Sequence, residues 1–236
     1  MGQDNAKLSK RNGEVSIAWY RDRGFLPEAI CNYLALLGWS PGDDKEDVTM
    51  DELVKLFTVD RVHSSPARFD MKKLEAINGD KIRALSPEEF LKRCLPFLKN
   101  DQIISGSDEE IAVVKSALPL IQERIATLAE VSQMLKFLFV KTFAVEEDSL
   151  SKISDDASKQ VLATAFDRLQ SVADWKHDYI EAALRTALIE ELGLKPRIAF
   201  GAVRIAVTGS HISPPLFESM ELLGREKSLA RIAQYK

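Results

Sequence analysis

Cysteine is nearly missing from this chain: Cys31 and Cys94 stand alone in apolar surroundings. That excludes a disulfide scaffold and a cysteine-rich zinc site, and the expectation is two buried, reduced thiols. No apolar run reaches the roughly 20 residues needed to cross a bilayer, so no membrane partner is expected. The first thirteen residues are polar and carry no secretory pattern, which makes the cytoplasm the expected compartment. Hairpin signals, internal repeats and low-complexity tracts are all lacking. Charge of one sign is lacking too. The net charge is −4, with 36 acids against 32 bases, so any nucleic-acid surface must be a local patch. Acids gather in 101–160, eleven against six bases, while basic groups gather near the ends: Lys7, Lys10, Arg11, Arg21 and Arg23, then Arg225, Lys227, Arg231 and Lys236.

What is present is helical punctuation. Pro27 opens a segment at a first-turn position and Gly38 closes it. Thr49 to Glu52, Ser86 to Glu89, Ser107 to Glu110 and Thr127 to Glu130 have capping-box spacing. A hydroxyl there takes an orphan backbone N–H, and the carboxylate three residues on faces the helix dipole. Apolar residues recur at steps of three and four in three stripes: Ile111 to Leu128, Leu162 to Ala173, and Ile180 to Leu192, the last stopped by Gly193. Pro119 should kink or restart the first of these helices. Residues 202–208 alternate like a strand, which periodicity alone leaves open. The stretches 40–45 and 100–107 read as linkers. The expected fold is all-α: an elongated multi-helix domain followed by a second helical domain, with a boundary near residue 100.

Lys7-Leu8-Ser9-Lys10-Arg11, ahead of Asn12-Gly13, is a candidate phosphate grip. Two ammonium groups on a mobile loop can stabilise charge as it develops on transferring phosphates, Ser9 can donate to a phosphate oxygen, and Gly13 lets the loop swing. Alone, such a short motif reads more readily as a solvated basic loop. His177, Asp178 and Glu181 share a helix face, but that spacing does not make a metal site, and a solvated helix start is the reading adopted. His63 beside Ser64 and Ser65 has no oxyanion motif with it.

The lysine loop resembles the signature loop of class I aminoacyl-tRNA synthetases, in the glutamyl and glutaminyl variant. The segments that follow are similar, in order, to bacterial glutamyl-tRNA synthetase: Ser16 to Ile30, Asn32 to Leu34, Leu37 to Ser40, Arg68 to Leu74 with Asn78-Gly79 closing that helix, Ala206 to Gly209, Pro214 to Glu218 and Leu222 to Leu229. The resemblance implies an enzyme that joins glutamate to its tRNA through a glutamyl-adenylate made from ATP with Mg2+. Lys10 would be the ATP contact, supported by Lys7 and Ser9. The class I catalytic domain needs a His-x-Gly-His element and a βαβ sheet, neither of which appears in this sequence. The expectation is therefore a carboxy-terminal portion, inactive alone and holding no cofactor by itself.

The resemblance also implies a division of labour. Residues 1–12 would carry the signature loop at the end of the catalytic region, 13–100 a stem-contact helical domain, and 101–236 a helical anticodon-binding domain. Arg21 and Arg23, beside Trp19 and Tyr20, suit stem and backbone contacts. Arg124 corresponds to the arginine that meets the third anticodon base, where a planar guanidinium can tell C from U. Arg204, Ser213 and Leu216 match further anticodon-loop positions, and the resemblance makes 202–208 helical. The expected partner is glutamate tRNA, with no DNA, and the expected state a monomer. The rival reading is a non-catalytic helical module that binds protein.

Overall fold

The computed structural model describes residues 16–42, 45–63 and 68–236. Among them, all regular structure is helical, and the caps written in the sequence begin most of it. Ser16 accepts the Trp19 N–H and starts α1 (Ile17–Asp22), and Pro27 sits at the first position of α2 (Pro27–Leu36). Thr49 and Glu52 close a reciprocal capping box on α3 (Met50–Leu56), as Ser107 and Glu110 do on α6 (Asp108–Ala117). Between these lie α4 (Met71–Arg83), capped by Asp70, and α5 (Pro87–Asn100), where Ser86 takes the Glu89 N–H. Then come α7 (Glu130–Phe139), α8 (Glu147–Leu150), and α9 (Asp156–Gln170), capped by Asp155. Helix α10 (His177–Arg185) runs into a π-helical turn at Thr186–Glu191, followed by α11 (Pro196–Thr208), α12 (Leu216–Leu223) and α13 (Arg225–Ala233).

The stripe from Ile111 to Leu128 breaks at Pro119 as expected: α6 stops at Ala117 and a single 3-10 turn holds Leu118–Leu120, but turns follow and the next helix starts only at Glu130. Pro119 has no N–H to continue the ladder, yet Ile121, Ile125 and Leu128 are all buried. One expectation about a helix end is corrected: Asn78-Gly79 does not close α4, which continues to Arg83.

The chain divides into two compact units. One gathers the residues up to Phe97 together with Gln122–Val131; the other gathers Leu98–Ile121 and Ser132–Lys236.

In the first unit, α2 packs on α4 through Ala29 and Tyr33 against Leu74, Ile77 and Ile82, all buried. Full burial of each large aliphatic side chain contributes about 1.5–3 kcal/mol. Asn78, fully buried, explains why α4 runs on. Its Oδ1 accepts the Leu26 N–H at 2.7 Å and its Nδ2 donates to Ala126 O at 2.6 Å. One side chain thus satisfies the open end of α2 and anchors the 122–131 segment. Gly24 brings the same segment in from the other side. Its φ is +80°, its carbonyl accepts the Leu128 N–H, and a Cβ there would lie 2.6 Å from backbone nitrogen of Leu128 and Ala129. Cys94 is buried as expected, and burial pushes its thiol up to about 12. Cys31 is exposed on α2, contrary to expectation, because the buried face of that helix is taken by Ala29, Asn32 and Tyr33.

In the second unit α9, α10, α11 and α13 pack together. Helix α11 buries Ala199, Ala202, Val203, Ile205, Ala206, Val207 and Thr208, so it is apolar nearly all round. That is why its sequence alternates like a strand. Gly209 ends it in the left-handed region, at φ +83°. Arg231, counted among the surface bases by sequence, is buried. It donates to Val207 O and Phe137 O, both at 2.7 Å, and its guanidinium lies 4.0 Å from the centre of the Phe143 ring. Those carbonyls belong to the last turns of α11 and α7, where no intrahelical donor reaches them.

Candidate nucleic-acid interface

Arg124 lies in a turn and is exposed. The turn is held on both sides. Gln122 Nε2 donates to Ile82 O at 2.9 Å and to Leu85 O at 3.0 Å, and the Asn78 amide holds Ala126. Ile125 is buried between these anchors, and Glu130 accepts the Ala126 and Thr127 N–H groups. A rigid backbone therefore presents a long cationic side chain. Among the described residues Arg124 forms no ion pair, so it is not the acid-paired surface arginine of a helix.

Arg204 is built differently. It is half-buried on α11, and its Nη1 donates to Ser213 Oγ and to Pro214 O, both at 2.9 Å. Ser213 and Leu216 are themselves buried. Ser213 and Pro214 orient the Arg204 guanidinium, and the buried Leu216 opens α12 two residues further on. Beside Arg204 opens a groove of about 710 Å³ between α9 and α11, lined also by Lys152, Arg197, Phe200 and His211. Sequence reasoning missed these four, although Arg197, Phe200 and Arg204 fall at helical spacing on α11 and could have been found by it; Lys152 is distant in the chain.

In the first unit, Arg21 and Arg23 are exposed at the end of α1. Arg23 lies 4.6 Å over the Trp19 ring, a cation–π contact that fixes its head near the surface. Trp19 is half-buried and meets Tyr20 edge-on, so it serves both as anchor and as platform. Arg93 bridges Glu28 and Glu89 and is committed to holding α5 against α2. Lys7, Ser9 and Lys10 lie outside the described residues.

Residues 89–236 match the family model described as "Anticodon binding domain". The chain belongs to the anticodon-binding domain family. That match takes in Arg124, Arg204, Ser213 and Leu216. A second model, "tRNA synthetases class I (E and Q), catalytic domain", matches residues 1–76, which take in the lysine loop, Arg21 and Arg23. The glutamate–tRNA ligase of Saccharopolyspora erythraea is 47% identical over 98% of this chain and 47% of its own length. That of Rhodococcus jostii is 49% identical over 98% of this chain and 48% of its own length. The crystal structure of a glutamate tRNA ligase from Elizabethkingia meningosepticum superposes with a TM-score of 0.76 at 28% identity, over 98% of this chain and 48% of that one. The glutamate–tRNA synthetase structure from Elizabethkingia anophelis gives 0.74, also at 28% identity. This anticodon-binding-domain chain thus spans about half the length of the curated relatives it matches.

For a member of this family, the electrostatics are apt in one further respect. Three of the eleven acids of 101–160 are engaged at helix starts: Glu110 accepts the Ser105, Gly106 and Ser107 N–H groups and is held at about 2, Glu130 accepts the Ala126 and Thr127 N–H groups, and Asp155 is lowered by the Ser158 N–H. No group of three or more His, Cys, Asp or Glu side chains among the described residues could hold a metal ion. His177 is not a ligand: its ring and its N–H both face Glu221 of α12. No helix among the described residues is long and apolar enough to cross a membrane.

Proposed function

We propose that this chain is the tRNA-reading portion of a cytoplasmic glutamate–tRNA ligase, which attaches glutamate to its tRNA through an adenylate made from ATP. The observation that carries this reading is the rigid presentation of Arg124. On a twice-anchored turn the backbone is already ordered, so only the side chain must be fixed for the planar fork to meet a base edge. Arg204, oriented by Ser213 and Pro214, supports a second contact to an unstacked anticodon nucleotide. Arg21 and Arg23 are positioned for stem phosphates, which fix register without reading sequence. On this reading the boundary between stem-contact and anticodon-binding parts lies near residue 100, and the chain acts as a monomer.

Lys7 and Lys10 would neutralise charge on the phosphates of ATP, with Ser9 donating a hydrogen bond, when the rest of a class I catalytic domain is in place. The described residues supply no ligand set for the Mg2+ that accompanies ATP. The chain alone is expected to form no adenylate. The reading is tested by binding of glutamate tRNA against bulk tRNA across a salt series. Affinity should fall steeply with salt, and Arg21→Ala with Arg23→Ala should flatten the slope by about 0.7–0.9 for every phosphate that the pair neutralises. Equal binding of unrelated tRNAs with no salt slope would reject it.

A further inference from the structure

The groove beside Arg204 does not end there. It continues into a recess of about 300 Å³ lined by Val161, Leu192, Leu194, Ile198 and Ala202, sharing Asp155, Ser158, Ile198 and Ala202 with the larger groove. Its size falls within the roughly 300–1,000 Å³ usual for sites that take small planar ligands. Leu192 and Ile198 are large apolar residues left exposed at its edge, Ile198 by 58%. Lys152 and Arg197 are exposed on the wall of the larger groove, and neither forms an ion pair among the described residues. The one carboxylate on the wall, Asp155, is engaged by the Ser158 N–H at 2.6 Å.

His211 is held in place on the same wall. Ser149 Oγ accepts the His211 backbone N–H at 3.2 Å and lies 3.0 Å from Nδ1, while its other acceptor, Asp148 Oδ1, is farther at 3.3 Å. The Ser149 hydroxyl therefore holds both the backbone and the ring of His211, and leaves Nε2 turned away from it as a polar atom for a ligand. Ser149 is fully buried, so it orients the ring and takes no part in contacts with a ligand.

We infer that this apolar recess is a slot for one further unstacked nucleobase of the bound RNA, outside the anticodon triplet, with Lys152 and Arg197 on the flanking phosphates and His211 in hydrogen-bonding reach of the backbone or of a base edge. The inference rests on the tRNA-reading function proposed above. Charge complementarity selects the occupant. Two unpaired cations beside an apolar slot suit a chain that alternates phosphates with flat apolar faces. An acidic protein segment meets both demands only if an aromatic side chain falls at the right spacing, whereas every nucleotide carries both groups.

The test uses the whole chain and an anticodon stem-loop RNA of glutamate tRNA carrying 2-aminopurine at one loop position outside the triplet at a time. One such position should change its fluorescence on binding. Ile198→Asp should abolish that change and weaken binding about fivefold, the lower end for loss of one stacked base. Lys152→Ala with Arg197→Ala should lower the salt slope by about 0.7 for each phosphate the two side chains neutralise. All three side chains are exposed, so these variants keep the fold, which circular dichroism checks. If the wild-type chain binds the stem-loop but no position outside the triplet responds, or the variants bind like wild type, the slot is wrong and the tRNA-reading function stands. If the wild-type chain does not bind the stem-loop at all, both fall.

Discussion

Replacing Arg231 by methionine isolates the role of a buried cation that has no carboxylate. Burial lowers this guanidinium to about 10, which leaves it charged at neutral pH. What offsets its desolvation is geometric: two helix-end carbonyls at 2.7 Å and the Phe143 face at 4.0 Å. Methionine keeps most of the stem volume but supplies no donor. Each buried carbonyl left without one costs about 1–3 kcal/mol, and a desolvated cation–π contact adds about 2 kcal/mol. Relief of the buried charge returns part of this. The expected net loss is about 2–4 kcal/mol. At about 2–4 °C per kcal/mol for a chain of this size, the melting temperature should fall by roughly 5–15 °C. The control is Lys227→Met, the same kind of change at an exposed position of the same helix, which should stay within about 0.5 kcal/mol. Thermal and urea unfolding followed by circular dichroism measures both. An Arg231→Met variant that melts with wild type, or a Lys227→Met variant that loses as much, would refute the reasoning.

Two further outcomes follow from the geometry. Gly24→Ala should destabilise the chain by about 2–4 kcal/mol, because it combines positive φ with a backbone clash at 2.6 Å that no rotamer relieves; a melting curve unchanged within a degree would count against the close approach. The contact between His177 and Glu221 should depend on pH. Glu221 is held at about 2 by Lys176 and the His177 N–H and ring, so its contribution is complete above about 4.5 and is lost as pH falls towards 2. Hydrogen bonding to Glu221 raises His177 above 6.5, so its contribution is complete below 6.5 and is lost as pH rises through the raised value. The tie between α10 and α12 is therefore strongest between about pH 4.5 and 6.5. An NMR titration of His177 should show a midpoint above 6.5 that returns to the ordinary value in Glu221→Gln; a wild-type midpoint at or below 6.5 would contradict the contact.

Caps were the most legible part of the fold, because a capping box is local chemistry. Thr49 with Glu52 and Ser107 with Glu110 need only three residues of context, and both form as read. Helix α11 was not legible from its own pattern, because a helix buried on most sides loses its period. The family resemblance supplied what the alternation obscured. Asn78 could not be read locally, since its partners lie 52 and 48 residues away. For the same reason Arg231 passed as a surface base. At the candidate interface, residue types pointed to Arg21 and Arg23 and the resemblance to Arg124, and all three are exposed. Arg197 and Arg204 share α11 and His211 follows it closely, but the arrival of Lys152 beside them depends on tertiary packing, which no sequence window contains.

The central claim is that Arg124 reads a base of glutamate tRNA. The direct measurement is the affinity of wild-type chain and Arg124→Ala for glutamate tRNA and for the same tRNA with its third anticodon base changed from C to U, at one fixed salt concentration. Wild type should prefer C, and Arg124→Ala should lose about 1–3 kcal/mol on the C form and bind the two nearly equally. An unchanged preference for C in the alanine variant would contradict the account.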